Sequence, residues 1–305
     1  MGKILVVGSI NMDLVTKVSK SPKTGETVLG KDFKQIPGGK GANQAVAMAR
    51  LGSDVAMIGM LGKDSFGDTL LSVIKKDGVD ISGIGRCKDI STGIATIVVD
   101  DDANNSIIVV PGANFEIEKK DIDANIKLYE NSEIVVHQLE TPLDIVEYSL
   151  KISKKMGKTT ILNPAPAKAM SDEIIKNVDY LIPNETELEL LAGVPVKNKE
   201  DILKACRKIM AKGVKKLIVT LGSKGAIYVD EKGSKEFGVY KVDAVDTTAA
   251  GDSFIGGLTA AISKGEPLEK AMEFAAKVGA ITVTREGAQT SLPTLDEVIN
   301  FEGVV

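Results

Sequence analysis

A chain of 305 residues, 43% hydrophobic and 26% charged, is long enough to bury a substantial core as one large α/β domain or two smaller ones, and its composition is that of a soluble globular enzyme. The net charge of −4 speaks against nucleic acid or an acidic membrane surface as the main partner. Two cysteines, Cys87 and Cys206, lack CxxC spacing, which argues against a disulfide framework or a zinc site and leaves plain buried or half-buried thiols.

In chain order, residues 4–7 read as a first buried strand, too short for a secretory signal. No apolar run reaches the roughly 18 residues of a membrane span, so the cytoplasm is the expected location. Residues 11–35 carry strand-like pieces at 14–18 and 33–36, with turn residues Pro22 and Gly25 and no helical pattern. A helix is predicted over 42–51, a strand over 55–60 and a helix over 66–76. The β-branched runs 92–99 and 106–110 flank the polar segment 100–105 and predict an antiparallel hairpin. From there strands (134–138, 160–163, 180–183, 217–221) alternate with helical patterns (142–156, 185–191, 202–212), and two helices follow, 251–263 and 268–284. Several helices end at glycine, among them Gly52, Gly157, Gly193, Gly213 and Gly265.

This alternation predicts an α/β fold with a mainly parallel sheet covered by helices on both faces. The two stretches without helices either build a small second sheet, as a lid or oligomer surface, or are edge decorations. No repeat, low-complexity tract or linker divides the chain, so a single unit over residues 1–305 is expected.

The most informative stretch is Asp246-Thr247-Thr248-Ala249-Ala250-Gly251-Asp252-Ser253-Phe254. Small residues let backbone N–H groups approach a ligand, and the first turn of the following helix seats an anion such as a phosphoryl group. Asp252 in that turn can face both the anion and the group that attacks it. A second glycine-rich turn, Pro37-Gly38-Gly39-Lys40-Gly41-Ala42-Asn43-Gln44-Ala45, opens a helix without Walker A spacing, and alone it is also compatible with a purely structural turn. Asn11-Met12-Asp13 follows the first strand, where ligands of parallel sheets sit, and reads as a hydroxyl-binding pair or an ordinary Asx turn. Glu140 either binds substrate or merely precedes the helix that Pro142 starts. Asn184-Glu185-Thr186-Glu187 has capping-box spacing, or reaches a nucleotide phosphate and its hydrated Mg²⁺. Thr220-Leu221-Gly222-Ser223-Lys224-Gly225 fits nucleotide binding or a hairpin. The single histidine, His137, lies in an apolar strand and reads as structural, which weighs against His-based triads.

Residues 39–45 and 246–254 together, about 200 residues apart, resemble the two signatures of the ribokinase and phosphofructokinase-B family of sugar kinases. The resemblance runs nearly end to end, and Asn11-Met12-Asp13, Gln138-Leu139-Glu140, Asn163-Pro164-Ala165-Pro166-Ala167 and Arg285-Glu286-Gly287-Ala288-Gln289 look like its ribokinase branch. It implies a three-layer α/β core with a small β lid, about 11–39 and 91–112, that also forms a homodimer contact. It implies ATP-dependent phosphorylation of the 5-hydroxyl of D-ribose, with Mg²⁺ accompanying ATP and K⁺ as activator. By the same resemblance, Asn11, Asp13, Gly39, Lys40, Asn43 and Glu140 hold the sugar. Asp252 is the base, in a turn with Ala249, Ala250 and Gly251. Asn184, Thr220, Leu221, Gly222, Ser223, Lys224, Gly225 and Gly251 contact ATP, and Glu187 lies on the Mg²⁺ side through water. Asp246, Thr248, Thr282, Arg285, Gly287 and Ser291 surround the monovalent cation, several through backbone carbonyls.

Two positions depart from the family pattern. Ala249 stands where the wider family has glycine, and Ala276 where some relatives place a polar residue against the adenine. Competing expectations are a same-fold kinase for 2-deoxyribose, a nucleoside, fructose or a sugar acid, and a non-catalytic sugar- or nucleotide-binding regulator. A Rossmann dehydrogenase fits less well, since no GxGxxG follows the first strand.

Overall fold

A computed structural model describes residues 2–102 and 104–303. Strand β1 (Lys3–Val7) divides its side chains between two faces: Ile4 and Val6 join one buried cluster, Leu5 and Val7 another. Alternate side chains of a strand point to opposite faces, so a strand buried on both belongs inside a covered sheet. The chain then leaves this sheet for the hairpin β2 (Asn11–Val18) and β3 (Gly30–Gly38), and enters helix α1 (Lys40–Arg50). Next come β4 (Val55–Gly62), α2 (Ser65–Lys76), β5 (Asp80–Cys87) and the hairpin β6 (Gly93–Val99) with β7 (Asn105–Val110). Of the expected turn between β6 and β7, Ala103 lies outside the described residues.

Two short helices, α3 (Lys119–Ala124) and α4 (Ile126–Glu130), lead to β8 (Ser132–His137) and α5 (Leu143–Lys155). The alternation continues through β9 (Thr159–Leu162), α6 (Asp172–Lys176), β10 (Tyr180–Leu181), α7 (Glu185–Ala192), α8 (Lys199–Met210) and β11 (Lys216–Thr220). The edge strands β12 (Ala226–Asp230) and β13 (Gly233–Phe237) and the helices α9 (Ala250–Ser263), α10 (Leu268–Val283) and α11 (Leu295–Ile299) complete it.

The large sheet runs β13-β12-β11-β10-β9-β8-β1-β4-β5, every pair parallel except β11–β12 and β12–β13, so β12 alone is reversed. The second sheet runs β3-β2-β6-β7, with β2 and β6 parallel. Both agree with the expected fold class.

Several elements differ from the sequence reading for physical reasons. Strand β5 is an edge strand whose apolar run is interrupted by Gly83, Gly85 and Arg86, so it carries no buried-strand signal. Helices α3, α4 and α6 have five or six residues, too few to show a 3.6-residue period. Asn11 and Asp13 do not form an Asx turn. They are paired residues of β2, opposite Gly38 and Ile36 on one side and Gly93 and Ala95 on the other. Their position brings them close to α1 while their backbone belongs to the second sheet.

His137 is fully buried, its Nε2 lies 2.6 Å from the Ser149 hydroxyl, and burial pushes its pKa down to about 3. It stays neutral and packed, as expected. Cys206 is buried and its thiol is pushed up to about 12 by burial, while Cys87 is half-buried.

Candidate active site

The glycines of the turn into α1 serve different needs. Gly39 is the N-cap with φ 89°, a left-handed conformation that glycine alone adopts without steric cost. Gly41 presses the first turn of α1 against the backbone beyond β1: a Cβ there would lie 2.6 Å from the Ser9 nitrogen and 2.7 Å from the Gly8 carbonyl carbon. A Cβ on Gly38 would collide with the Asp13 carboxylate. No side chain of its own caps α1. Glu140, just beyond β8, supplies the acceptor instead. Its Oε2 accepts from the Lys40 backbone N–H at 3.1 Å and from the Ser9 hydroxyl at 2.6 Å.

The N-cap of helix α9 is Ala249, with φ 60° and ψ 10°. Among the described residues it is the one non-glycine with positive φ, a conformation costing an L-residue about 1–2 kcal/mol. Backbone N–H groups of this turn were expected near an anion. That of Ala250 instead donates to the Thr247 carbonyl at 3.2 Å, and no side chain caps those that follow. Asp252 is buried in this turn, where its Oδ2 accepts from Asn43 Nδ2 and its Oδ1 from Gln44 Nε2, both at 2.9 Å. Small residues bring these groups together. A Cβ on Gly256 would lie 2.5 Å from the Cβ of Ala47, so α1 and α9 touch there. Asp252 and Asn43 stand one helical turn earlier on the two helices and therefore meet.

Charge is concentrated here. Burial pushes the Asp13 carboxyl up to about 7, Glu140 and Asp252 push the same way, and Lys40 opposes them. Burial works against the charge of Lys40, but Asp252, Glu140, Glu187 and Asp13 outweigh it and raise its pKa above the usual lysine value. Burial likewise raises Glu187, with the Asn184 N–H and Lys40 opposing. Asn11 accepts at Oδ1 from Asn114 Nδ2 at 2.7 Å, and Asn114 is itself fixed by the N–H and carbonyl of Ile10. Asn43 Oδ1 is a buried acceptor with no partner. Asn11, Asp13, Gly39, Lys40, Asn43, Glu140 and Asp252 thus form one cluster. The sequence reading gave no role to Ser9, Gln44 or Asn114, whose only signal is a small polar or amide residue beside an expected site residue.

A cavity of about 580 Å³ opens on the other side of the α9 turn, within the usual size of small-molecule sites. Asn184, Thr220, Gly222, Ser223, Gly225, Ala250 and Gly251 line it, as do Thr247 and Ala276. Leu221 and Lys224 belong to the same turn but lie outside the lining, and Leu221 packs against a buried cluster. Apolar walls come from Phe237, Phe254, Met272 and Val283, in separate segments that no single motif marks. A Cβ added to Gly222, Gly251 or Gly279 would meet nothing within 4 Å, so packing does not require glycine at these positions and their smallness keeps the cavity clear. Asn184 and Glu187 do form a capping box, at 2.8 and 2.9 Å, which fixes Glu187 at the head of α7.

Asp246 ties two loops together. Its Oδ1 accepts from the Thr248 N–H at 2.8 Å and its Oδ2 from the Gly287 N–H at 2.9 Å. Burial opposes its charge, but these bonds win and hold the carboxyl below the usual range. The hydroxyls of Thr282 and Ser291 donate to the carbonyls of Val278 and Ala288. The Arg285 guanidinium is turned to Glu297, at 2.7 Å.

A nucleotide-sized cavity and a carboxylate–amide cluster on opposite sides of one uncapped helix N-terminus define a phosphotransferase site. Residues 1–295 match the family model described as pfkB family carbohydrate kinase. The chain belongs to that family and is a sugar kinase. It is 41% identical over 299 residues to a ribokinase of Haemophilus influenzae, covering 98% of this chain and 97% of the relative. It is 37% identical over 295 residues to a deoxyribokinase of Salmonella typhi, covering 96% of each. Its fold superposes on a ribokinase of Arabidopsis thaliana complexed with ribose and ATP, with TM-score 0.92, 32% identity and 99% of each chain covered.

Proposed function

We propose that the chain transfers the terminal phosphoryl group of ATP to the 5-hydroxyl of D-ribose, giving ribose 5-phosphate and ADP. The observation that carries this reading is the α9 turn, which borders the cavity through Ala250 and Gly251 and turns Asp252 toward the cluster. The relatives named ribokinase supply the substrate pair. In this reading Asn11, whose oxygen already accepts from Asn114, donates through Nδ2, and Asn43 accepts through its free Oδ1. Asp13, Lys40, Glu140 and the backbone at Gly39 hold the remaining sugar oxygens. Asp252 orients the 5-hydroxyl and collects its proton late, because phosphoryl transfer has a loose transition state with little early need for deprotonation. The backbone from Ala249 to Asp252, chiefly the N–H groups of Gly251 and Asp252, faces the charge on the transferred group. Asn184, Thr220, Gly222, Ser223 and Gly225 hold ATP, with Leu221 and Lys224 acting through the backbone of their turn.

Among the described residues no three His, Cys, Asp or Glu groups converge as a metal cage. That fits Mg²⁺ carried by the nucleotide phosphates with Glu187 near its waters, where the ion neutralises phosphate charge. The oxygen-only donor set of Asp246 and the loop carbonyls at Thr248, Thr282, Arg285 and Gly287, with Ser291, fits K⁺. The second sheet exposes Phe33, Ile107, Ile108, Val109 and Val110, an apolar surface that a second copy of the chain would cover. No helix among the described residues is long and apolar enough to cross a membrane.

The deoxyribokinase relative favours a second reading, phosphorylation of 2-deoxyribose. ADP release measured across ribose, 2-deoxyribose, fructose and a nucleoside, with and without K⁺, distinguishes the two. The expected result is the highest kcat/KM with ribose, because a site bonded to a hydroxyl disfavours the analogue lacking it. Preference for 2-deoxyribose or a nucleoside would sink the ribose reading.

Asp13 gives the sugar site a pH dependence. Its folded pKa of about 7 exceeds its ordinary 3.8, so the sugar-free fold holds a proton that the unfolded chain has lost. The Asp13 contribution to stability therefore falls as pH rises from about 4 through about 7. A sugar hydroxyl donating to Asp13 favours the ionised form. Ribose affinity measured by calorimetry is expected to strengthen from pH 6 to pH 8 with proton release, and Asp13→Asn to flatten the curve. Affinity that weakens over this range would reverse the assignment of donor and acceptor.

A further inference from the structure

Gln44 lies outside every role assigned above, yet it is fully buried and touches Asp252. Its own orientation is fixed from two sides. Asn163 donates through Nδ2 to the Ile182 carbonyl at 3.1 Å, and a carbonyl can only accept, so Asn163 Oδ1 faces Gln44. Gln44 Nε2 then donates to Asn163 Oδ1 at 3.3 Å and to Asp252 Oδ1 at 2.9 Å. Gln138 Nε2 donates to Gln44 Oε1 at 2.6 Å, which closes the chain. Gln138 in turn fits only because Gly8 has no side chain, since a Cβ there would collide with its Oε1. Burying three side-chain amides is costly unless they are bonded, and here they leave Gln138 Oε1 unpartnered. Such a network rigidifies what it holds.

Resting on the phosphotransfer reading above, we propose that Gln44 is the positioning residue for Asp252, locked by Gln138 and Asn163 so that its N–H faces the carboxylate. The bond from Gln44 fixes the plane of the carboxyl group and occupies the lone pair of Oδ1 that points to α1. Oδ2, bonded to Asn43, is directed toward the sugar cluster and retains a lone pair for the hydroxyl proton. The charged groups acting with Asp252 are Lys40 beside it on α1, Asp13 on β2 and Glu187 on α7. Each remains when Gln44 is changed.

The test compares Gln44→Met, Gln138→Met and the parent, with circular dichroism and Tm confirming the fold. Gln44→Met is expected to lower kcat about 10–100-fold, the scale of a misplaced reacting group, while KM for ribose and ATP changes less than about threefold. Gln138→Met, which touches neither substrate nor Asp252, lowers kcat in the same direction by less, again with little change in KM. In an Asp252→Asn background Gln44→Met costs no further activity, because its effect runs through that carboxylate. A folded Gln44→Met with kcat within twofold of the parent overturns the proposal, as does a loss carried by KM rather than kcat. If the parent releases no ADP from ATP with ribose, the phosphotransfer reading itself fails, whereas normal turnover of Asp252→Asn removes only Asp252 and the role of Gln44, so the two failures are told apart.

Discussion

Asp252→Asn is expected to lower kcat by at least about 100-fold while leaving the affinities for ribose and ATP within several-fold. General-base help typically contributes 10²–10⁴-fold, roughly 3–5 kcal/mol of barrier. A loose transition state makes little early demand for deprotonation, so the loss lies at the low end of that range. The rest of the rate enhancement remains with in-line positioning and with the N–H groups heading α9. Asn43 and Gln44 both donate to Asp252, and an Asn side chain offers only one oxygen, so one bond is lost and Tm falls slightly. Single-turnover kinetics with equilibrium binding of both substrates separates chemistry from affinity. Near-normal turnover in a variant free of parent contamination would remove Asp252 from the reaction.

Gly41→Ala is expected to destabilise the fold by about 1–3 kcal/mol and to raise KM for the sugar. The added methyl group meets backbone rather than flexible side chain, with the Ser9 nitrogen at 2.6 Å and the Gly8 Cα at 2.8 Å. Neither can move without disturbing β1 on one side and Asn11 on the other. Helix α1 has to retreat instead, carrying Lys40 and Asn43 with it and stretching the bonds from the Lys40 N–H to Glu140 at 3.1 Å and from the Ala42 N–H to the Ser9 carbonyl at 2.9 Å. Thermal melting shows the loss as a fall of several degrees, partly recovered by saturating sugar. A variant as stable as the parent with unchanged KM would mean that the turn has slack that these distances deny.

Gly41 also shows what the sequence could and could not reveal. Three glycines in four positions announced close approach, but not what approaches: positive φ at Gly39, room for Asp13 at Gly38 and backbone contact at Gly41. The parallel sheet was legible because its inner strands are apolar on both faces, as Ile4–Val7 are. Strand β5 was not, because an edge strand needs no apolar run. Asp252, Lys40 and Asn43 stood out through their small-residue surroundings. Asn114 and Gln44 did not, since an isolated amide has no spacing signal and gains meaning only from the partner that folding brings to it. The apolar walls of the cavity, Phe237, Met272 and Val283, are in the same position, assembled from strands and helices far apart in the chain.

The contact of Gly256 with Ala47 has a consequence for mechanical precision. Close-packed protein contacts compress very little, and this one lies a single helical turn from the acid and the amides it serves. It works as a fixed gauge between two helices, so the distance from Asp252 to Asn43 and Gln44 is set by two small residues that touch neither substrate. A methyl group added there widens the gap for every group hung from it. Heat that loosens the rim of the molecule leaves the reference length standing until the helices themselves part.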